Sequence, residues 1–136
     1  KSVSNLIKDA RKVQKTILLV GEISDIFVTN YQRMLTDKNF SVRELEAISF
    51  GYTRLLQEAT DLLLELKTVI KETTLSMTDK ERFDLIDRVY RDVKHYRNLV
   101  YYYTRKNISV SFLRARKKND TDRVLQLYGT ASERYW

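Results

Sequence analysis

The chain has 136 residues, with 25 Lys and Arg against 18 Asp and Glu, no Pro, no Cys and three Gly. Its length fits a single domain over residues 1–136, and the scarcity of helix-breaking residues disfavours a strand-and-turn protein. The lack of cysteine excludes disulfides and thiolate metal sites. We also predict no transmembrane segment, because no apolar run approaches the ~20 residues that one needs.

The first predicted element is a helix over residues 2–35. Its apolar residues, from Val3 to Met34, recur at alternating steps of three and four, which places them on one face of a helix. Gly21 interrupts this run, and we expect it either to weaken the helix or to admit a closely packed neighbour. The polar run at residues 36–39 is the first loop signal.

The next two predicted helices cover residues 41–73 and 78–105, and both begin in the same way. Ser41 with Glu44, and Thr78 with Glu81, have the spacing of a capping box. In a capping box each of the two side chains accepts a backbone N–H of the first turn. Apolar residues then continue at steps of three and four along both segments.

The last segment has a weaker pattern. Residues 108–112 alternate apolar and polar side chains, which would fit a short extended piece, but we favour one or two short helical elements over about residues 109–128. Asn119 to Asp122 reads as a break or cap, and Gly129 is placed to end a helix. The sequence therefore predicts an all-α fold, an elongated antiparallel bundle of three long helices plus one or two short C-terminal helices. Apolar stripes at steps of three and four along these helices would also allow the chain to pack against another copy as a homo-oligomer.

The chain lacks the residue sets that most catalytic sites need. His95 is the only histidine, so a nucleophile–base pair or a multi-histidine metal site cannot be assembled. Its three glycines are far apart, so there is no glycine-rich phosphate loop. Acidic pairs such as Asp84 and Asp87 lie among Lys and Arg and read as solvated helix surface. We predict no catalytic residue, no metal and no cofactor, and a protein that acts by binding.

Two features of the second half mark a candidate partner-binding surface. Residues 69–136 carry 15 basic and 9 acidic groups, and no acidic residue lies between Arg105 and Lys118. Three consecutive tyrosines, 101–103, point about 100° apart on a helix, so at least one should be exposed or lie against another surface. The candidate residues are Tyr101, Tyr102, Arg105, Lys106, Arg114, Arg116, Lys117, Lys118, Tyr135 and Trp136.

Three interpretations of this surface stay open at the level of sequence. The first is a solvated or structural role, the second is contact with an acidic protein or membrane surface, and the third is nucleic-acid binding. The third has the weakest support, because no helix-turn-helix, zinc or RNA-binding motif accompanies the basic run.

Three short stretches of the sequence carry a resemblance: residues 74–79 (Thr-Leu-Ser-Met-Thr-Asp), residues 107–111 (Asn-Ile-Ser-Val-Ser) and residues 127–136, which begin Leu-Tyr-Gly-Thr-Ala. They resemble a family of helical conjugal-transfer proteins encoded by conjugative transposons of gut bacteria. The resemblance implies a non-catalytic structural or adaptor component of a type IV secretion-like DNA-transfer apparatus, with other apparatus proteins as partners. It implies a periplasmic or envelope location after removal of a signal peptide. A start at Lys1 fits that removal and equally fits a truncation. The alternative location is the cytoplasm.

Overall fold

The computed structural model describes residues 3–73 and 76–129, and within these ranges it contains four helices and no strand. The helices are α1 (Val3–Leu35), α2 (Val42–Thr73), α3 (Asp79–Lys117) and α4 (Thr121–Tyr128). The predicted all-α class, with three long helices and a short C-terminal helix, is confirmed.

Both predicted capping boxes form at the starts of α2 and α3. At α2, the backbone N–H of Glu44 donates to the Ser41 hydroxyl over 3.1 Å, and the backbone N–H of Ser41 donates to the Glu44 carboxylate over 3.0 Å. At α3, Thr78 and Glu81 make the same reciprocal pair over 3.1 and 3.3 Å. These bonds satisfy backbone donors that have no partner inside the helix.

The third helix is longer than predicted. It continues to Lys117, where we expected an end at residue 105 and a separate element from residue 109. The buried positions keep helical spacing through this stretch, at Val100, Thr104, Ile108, Ser111 and Ala115. Since two of the five are polar, a pattern judged by hydrophobicity breaks where the buried face continues. The alternative of an extended piece over residues 108–112 is wrong.

A tight turn separates α3 from α4 where a break was predicted. Asn119 has φ 55°, a left-handed conformation that asparagine tolerates better than most residues. The N–H of Asp120 donates to the carbonyl of Ala115, and the N–H of Asn119 donates to that of Arg116. This pair of bonds is the Schellman motif that ends many helices. Gly129, with φ 80°, ends α4 as predicted, and its N–H donates to Leu125 O over 2.8 Å.

The chain divides into two compact units, and α1, α2 and α3 each contribute to both. Unit 1 comprises Lys1–Ile23 and Leu56–Arg97, and unit 2 comprises Ser24–Leu55 and Asn98–Trp136. The single domain over residues 1–136 stays a prediction.

In unit 1, ion pairs join α1 to α3 in parallel order. Asp9 pairs with Arg82, Lys12 with Asp87, and Glu22 with Arg97, at N–O distances of 2.7 to 3.1 Å. The apolar core beside them is formed by Ile23, Ala59, Leu63, Leu66, Ile86, Val89 and Val93. Burial of these side chains from all three helices is the main favourable contribution to the stability of this unit.

In unit 2, α1 and α3 both run antiparallel to α2, and the centre is aromatic. The Phe27 ring stacks on Tyr52 with centroids 4.8 Å apart, and the Tyr103 ring meets Tyr52 edge-on at 4.9 Å. Gly51 leaves the space that Tyr103 fills, because a Cβ at this position would collide with the Tyr103 ring. The close approach that we expected at Gly21 is therefore at Gly51, since nothing lies within 4 Å of a Cβ at Gly21.

The buried stripe of α1 is rotated from the predicted one. Predicted core residues such as Val13, Ile17 and Tyr31 are only half-buried, whereas Thr16 and Asn30 are buried. The Thr16 hydroxyl donates to Lys12 O over 2.8 Å, and the Asn30 amide donates to Ile26 O over 2.9 Å. Each polar side chain thus finds its partner within its own helix and can lie in the core.

Candidate interaction surface

One face of α3 in unit 2 is both basic and apolar, and we call it the basic face. With 3.6 residues per turn, its seven members fall within an arc of about 140°. They are Tyr102, Arg105, Lys106, Val110, Leu113, Arg116 and Lys117, and all seven are exposed. The buried positions of α3, such as Thr104 and Ala115, lie on the opposite side of the helix.

The buried side of α3 fixes which way the basic face points. The Thr104 hydroxyl donates to Val100 O over 2.8 Å and shares a 2.6 Å hydrogen bond with the Tyr52 hydroxyl. Burial raises the pKa of Tyr52 to about 12, so this hydroxyl stays neutral at ordinary pH. Because the bond joins α3 to α2 inside unit 2, rotation of α3 about its axis would break it.

The three consecutive tyrosines divide as the helix geometry requires. Tyr103 packs inward, and its hydroxyl donates to Ile48 O over 3.0 Å. Tyr101 is half-buried. Tyr102 points outward with 52% of its surface exposed, and the Lys106 ammonium lies 5.9 Å from its ring centroid. The prediction that at least one of the three is exposed is confirmed.

The charge of the basic face has no local compensation along the helix. No acidic residue lies between Asp92 and Asp120 in the sequence. Four cations of the face, Arg105, Lys106, Arg116 and Lys117, therefore lie beside the apolar surfaces of Tyr102, Val110 and Leu113. Leu113 is 56% exposed. An exposed mixture of cations and apolar side chains is suited to a partner that is acidic and apolar.

Two of the predicted binding residues instead hold unit 2 together. Arg114 forms a bidentate pair with Glu44, at 2.8 and 2.7 Å, and also donates to Asn39 O over 2.6 Å. Lys118 donates to the Asn39 side-chain oxygen over 2.8 Å. Hydrogen bonds from Arg114 hold the pKa of the Glu44 carboxyl at about 2, well below its usual range. Sequence spacing grouped Arg114 and Lys118 with Lys117, but these contacts set them apart from the basic face.

A buried polar cluster lies where the α1–α2 loop meets α3 and α4. The Asp37 carboxylate accepts hydrogen bonds from the Ser111 hydroxyl at 2.5 Å, the Tyr128 hydroxyl at 2.7 Å and the Asn39 N–H at 2.9 Å. Burial, and then the bond to Asp37, raise the pKa of Tyr128. We assign this cluster a structural role, because its donors all come from the chain and satisfy the carboxylate.

The sequence did not single out Val110 and Leu113 as surface residues. The apolar pattern places Leu113 in a separate short helix, because hydrophobicity alone does not indicate that α3 continues past residue 105. In the continuous helix α3, Val110 and Leu113 lie eight and eleven positions after Tyr102, on the same side of the helix. Tyr135 and Trp136, the last two predicted candidates, lie outside the described residues.

The remaining signals give no second site of known chemistry. His95 is exposed, as expected for a surface residue. Across residues 3–73 and 76–129, no group of three or more His, Asp or Glu side chains is placed to hold a metal ion. None of the described helices combines the length and the hydropathy that crossing a bilayer requires.

Comparison with known proteins does not assign this fold to a family. No protein-family model matches the chain, and neither a curated protein nor a solved structure matches it.

Proposed function

We propose that this protein is a non-catalytic structural or adaptor subunit that binds another protein through the basic face. The observation that carries the proposal is the exposure of Tyr102, Val110 and Leu113 among four cations on one side of α3. Tyrosine and arginine are enriched at protein interfaces, where an apolar centre is surrounded by polar groups. An opposing surface that carries carboxylates around an apolar centre would complement it.

The geometry favours a folded or helical partner over a short extended peptide. Tyr102 and Leu113 are separated by eleven residues of helix, which is about 16 Å at 1.5 Å per residue. A partner helix of similar length could pack along this line and place acidic side chains opposite Lys106 and Lys117. The unit has no strand among its described residues to which an extended peptide could add.

The resemblance noted in the sequence supports a more specific proposal. On that basis the partner is another component of a conjugative, type IV secretion-like DNA-transfer apparatus, and the protein works in the periplasm or cell envelope. Fractionation of cells that express the full gene tests the location, and recovery in the cytoplasm alone would contradict it. Pairing with another copy of the chain stays a prediction. A mass in solution near 16.2 kDa, that of a single chain, at high protein concentration would count against it.

The proposal is tested by genetic complementation in the transposon-bearing strain. Deletion of the gene should abolish DNA transfer while leaving nicking of the transfer origin intact. The four-fold variant Arg105→Glu, Lys106→Glu, Arg116→Glu and Lys117→Glu should then fail to restore transfer. Transfer at the normal level in the deletion strain would refute the assignment to the apparatus.

A matched control distinguishes an effect of the basic face from an effect of the lower net charge. Arg11, Lys15, Lys38 and Arg43 are exposed and lie outside α3. Reversing these four, again two arginines and two lysines, gives the same change in charge and should leave transfer intact. If both variants fail equally while both remain folded by circular dichroism, the basic face has no special role.

Nucleic-acid binding is the second candidate, favoured by the four cations of the basic face. Phosphate contacts would make the binding constant fall with salt, with a slope of roughly −0.9 per contact in a plot of log K against log salt. Fluorescence polarisation with a labelled duplex at low salt tests this candidate. Absence of binding would dismiss it, and tight binding lost in the four-fold variant would favour it over a protein partner.

A further inference from the structure

A second candidate site lies in unit 1, well apart in the sequence from the basic face. A cavity of about 410 Å³ opens between α1, α2 and α3. Its aliphatic lining consists of Leu6, Ala10, Val13, Leu66, Ile70 and Ile86. Leu66 and Ile86 are fully buried and form the inner end, whereas Leu6 is exposed and marks the outer end. The volume is within the range of about 300 to 1,000 Å³ that is usual for small-molecule sites.

The wall of this cavity contains an arginine with an unsatisfied donor. The Arg82 side chain is only 3% exposed. Its Nε donates to Asp9 over 2.7 Å and its Nη2 donates to Asp79 over 3.1 Å. Its Nη1 is buried and has no hydrogen-bond partner within the described part of the chain. A buried N–H without an acceptor is unfavourable, and a ligand oxygen would relieve it.

The position of Nη1 on the guanidinium is informative. Nε and Nη2 share one edge of the planar group, and that edge is taken by Asp9 and Asp79. Nη1 lies on the other side. Arg82 lines the aliphatic cavity, whereas the neighbouring hollow that contains Asp79 does not include it. Arg82 therefore contributes to the wall of this cavity. Because Nη1 itself is buried, an acceptor in the cavity reaches it only when the aliphatic side chains in front of it shift.

The lysines beside the cavity favour an anionic ligand. Lys67, Lys71, Arg82 and Asp9 line it. Because Asp9 and Asp79 both pair with Arg82, the positive charge that a ligand would meet comes from Lys67 and Lys71. Lys67 and Lys71 are exposed, so they lie at the solvent end of the site. Since the Asp9 carboxylate is close, a head group with one negative charge fits better than a dianion such as a phosphate monoester.

We propose that this cavity binds a straight-chain aliphatic carboxylate. One carboxylate oxygen accepts the Nη1–H of Arg82, the lysines compensate the charge, and the hydrocarbon chain lies among the aliphatic side chains. This site is independent of the basic face, because its residues all belong to unit 1.

Calorimetric titration with hexanoate, octanoate and decanoate below their micellar concentrations tests the proposal. We expect one ligand per chain and an affinity that rises about fourfold with each added methylene until the chain fills the cavity. Decan-1-ol, which has the same chain without the charge, should bind at least tenfold more weakly than decanoate. No binding by any of the three acids, or an alcohol that binds as tightly as the acid, would overturn the proposal.

Variants that keep the Arg82–Asp9 pair intact test the site without breaking a buried ion pair. Ala10→Phe should fill the cavity from its exposed side and reduce decanoate affinity at least tenfold. The matched control is Leu18→Phe on the exposed surface of α1, which should bind decanoate normally. Unchanged binding by folded Ala10→Phe would overturn the proposed location.

The same titration tests the positive charge of Lys67 at the solvent end of the cavity. Lys67→Glu should weaken decanoate binding at least threefold and leave decanol binding unchanged. Lys38→Glu, an equal change of charge at an exposed position in unit 2, should alter neither. Equal effects of the two reversals on decanoate would contradict a role for Lys67.

Discussion

The hydroxyl of Tyr128, in the last turn of α4, donates a 2.7 Å hydrogen bond to the buried carboxylate of Asp37 in the α1–α2 loop. These residues are 91 positions apart in the sequence. The same carboxylate oxygen also accepts the Ser111 hydroxyl of α3. A single side chain thereby connects a loop and two helices of unit 2, and it holds the α1–α2 loop against α3 and α4.

Removing the Tyr128 hydroxyl should destabilise the protein. Hydrogen bonds to charged groups contribute about 1.5–3 kcal/mol, so we expect Tyr128→Phe to lower the free energy of unfolding by about 2 kcal/mol. Urea denaturation measures this change. Tyr102→Phe removes an exposed hydroxyl and should stay within about 0.5 kcal/mol of the wild type. Equal stability of the two variants would contradict the role given to Asp37.

The Tyr52–Thr104 pair should show strong coupling. Thr104→Val would leave the buried Tyr52 hydroxyl without its partner and should cost about 1–3 kcal/mol. Adding Tyr52→Phe removes the unpaired hydroxyl, so the double variant should recover most of the stability that Thr104→Val loses. A double-mutant cycle measured by urea denaturation tests the pair. Simple additivity of the two changes would show that the hydroxyls do not interact.

The two helical glycines should respond in opposite ways to alanine. Gly21→Ala should stabilise the protein by roughly 0.5–1 kcal/mol, because alanine favours the helix and its Cβ meets nothing. Gly51→Ala should destabilise it by about 1 kcal/mol, because the Cβ displaces the Tyr103 ring.

The control for Gly51 is the same change in a Tyr103→Ala background. With the ring removed, the collision is gone and Gly51→Ala should become stabilising. Thermal and urea unfolding of the wild type, the two single variants and the double variant show whether Gly51→Ala raises or lowers the stability in each background. If Gly51→Ala stabilises the protein even when Tyr103 is present, the packing described here is incorrect.

The Glu44–Arg114 pair predicts how stability depends on pH. The Glu44 pKa falls from 4.5 to about 2 in the folded chain. A carboxyl with a lowered folded-state pKa adds stability above its unfolded pKa, and that contribution is lost as pH falls from about 4.5 towards 2. Arg114→Gln should raise the pKa of Glu44 and flatten the stability profile in this window.

Carbon-13 NMR of the Glu44 carboxyl measures this effect directly. The control is Arg116→Gln, which removes an exposed arginine of the basic face and should leave the Glu44 titration in place. A Glu44 midpoint that is the same with and without Arg114 would contradict the pairing.

Local sequence signals predicted the starts of α2 and α3 and the end of α4. The capping boxes of Ser41 and Thr78 and the terminator Gly129 each depend on residues within four positions of one another. Such signals act through the nearest backbone groups, so they can be read without knowing the tertiary structure.

Polar residues in the core account for what the sequence did not show. Thr16, Asn30 and Thr104 hydrogen-bond to carbonyls one turn earlier, so they are buried while a hydrophobicity pattern counts them as surface. This is why the buried stripe of α1 was misplaced and α3 was ended too early. The partners of Asp37 could not be foreseen, because bonds across 74 and 91 positions depend on the packing of whole helices.

The candidate surface was predicted in part. Tyr102, Arg105, Lys106, Arg116 and Lys117 were singled out by charge and aromatic content, and the continuous helix groups them on one side. Arg114 belongs to the same basic run of the sequence, yet its side chain pairs with Glu44. Charge alone cannot distinguish a cation that binds a partner from one that binds its own chain.

The most direct test of the central claim is site-specific photo-crosslinking in cells that carry the proposed transfer apparatus. A photoreactive phenylalanine at Leu113 should form one discrete adduct with another protein, and reversal of the four cations of the basic face should abolish that adduct. The control position is Leu64, which is 55% exposed on α2 of unit 1 and should give none. Adducts with DNA, equal adducts from both positions, or no adduct at Leu113 would contradict a protein-binding role for this face.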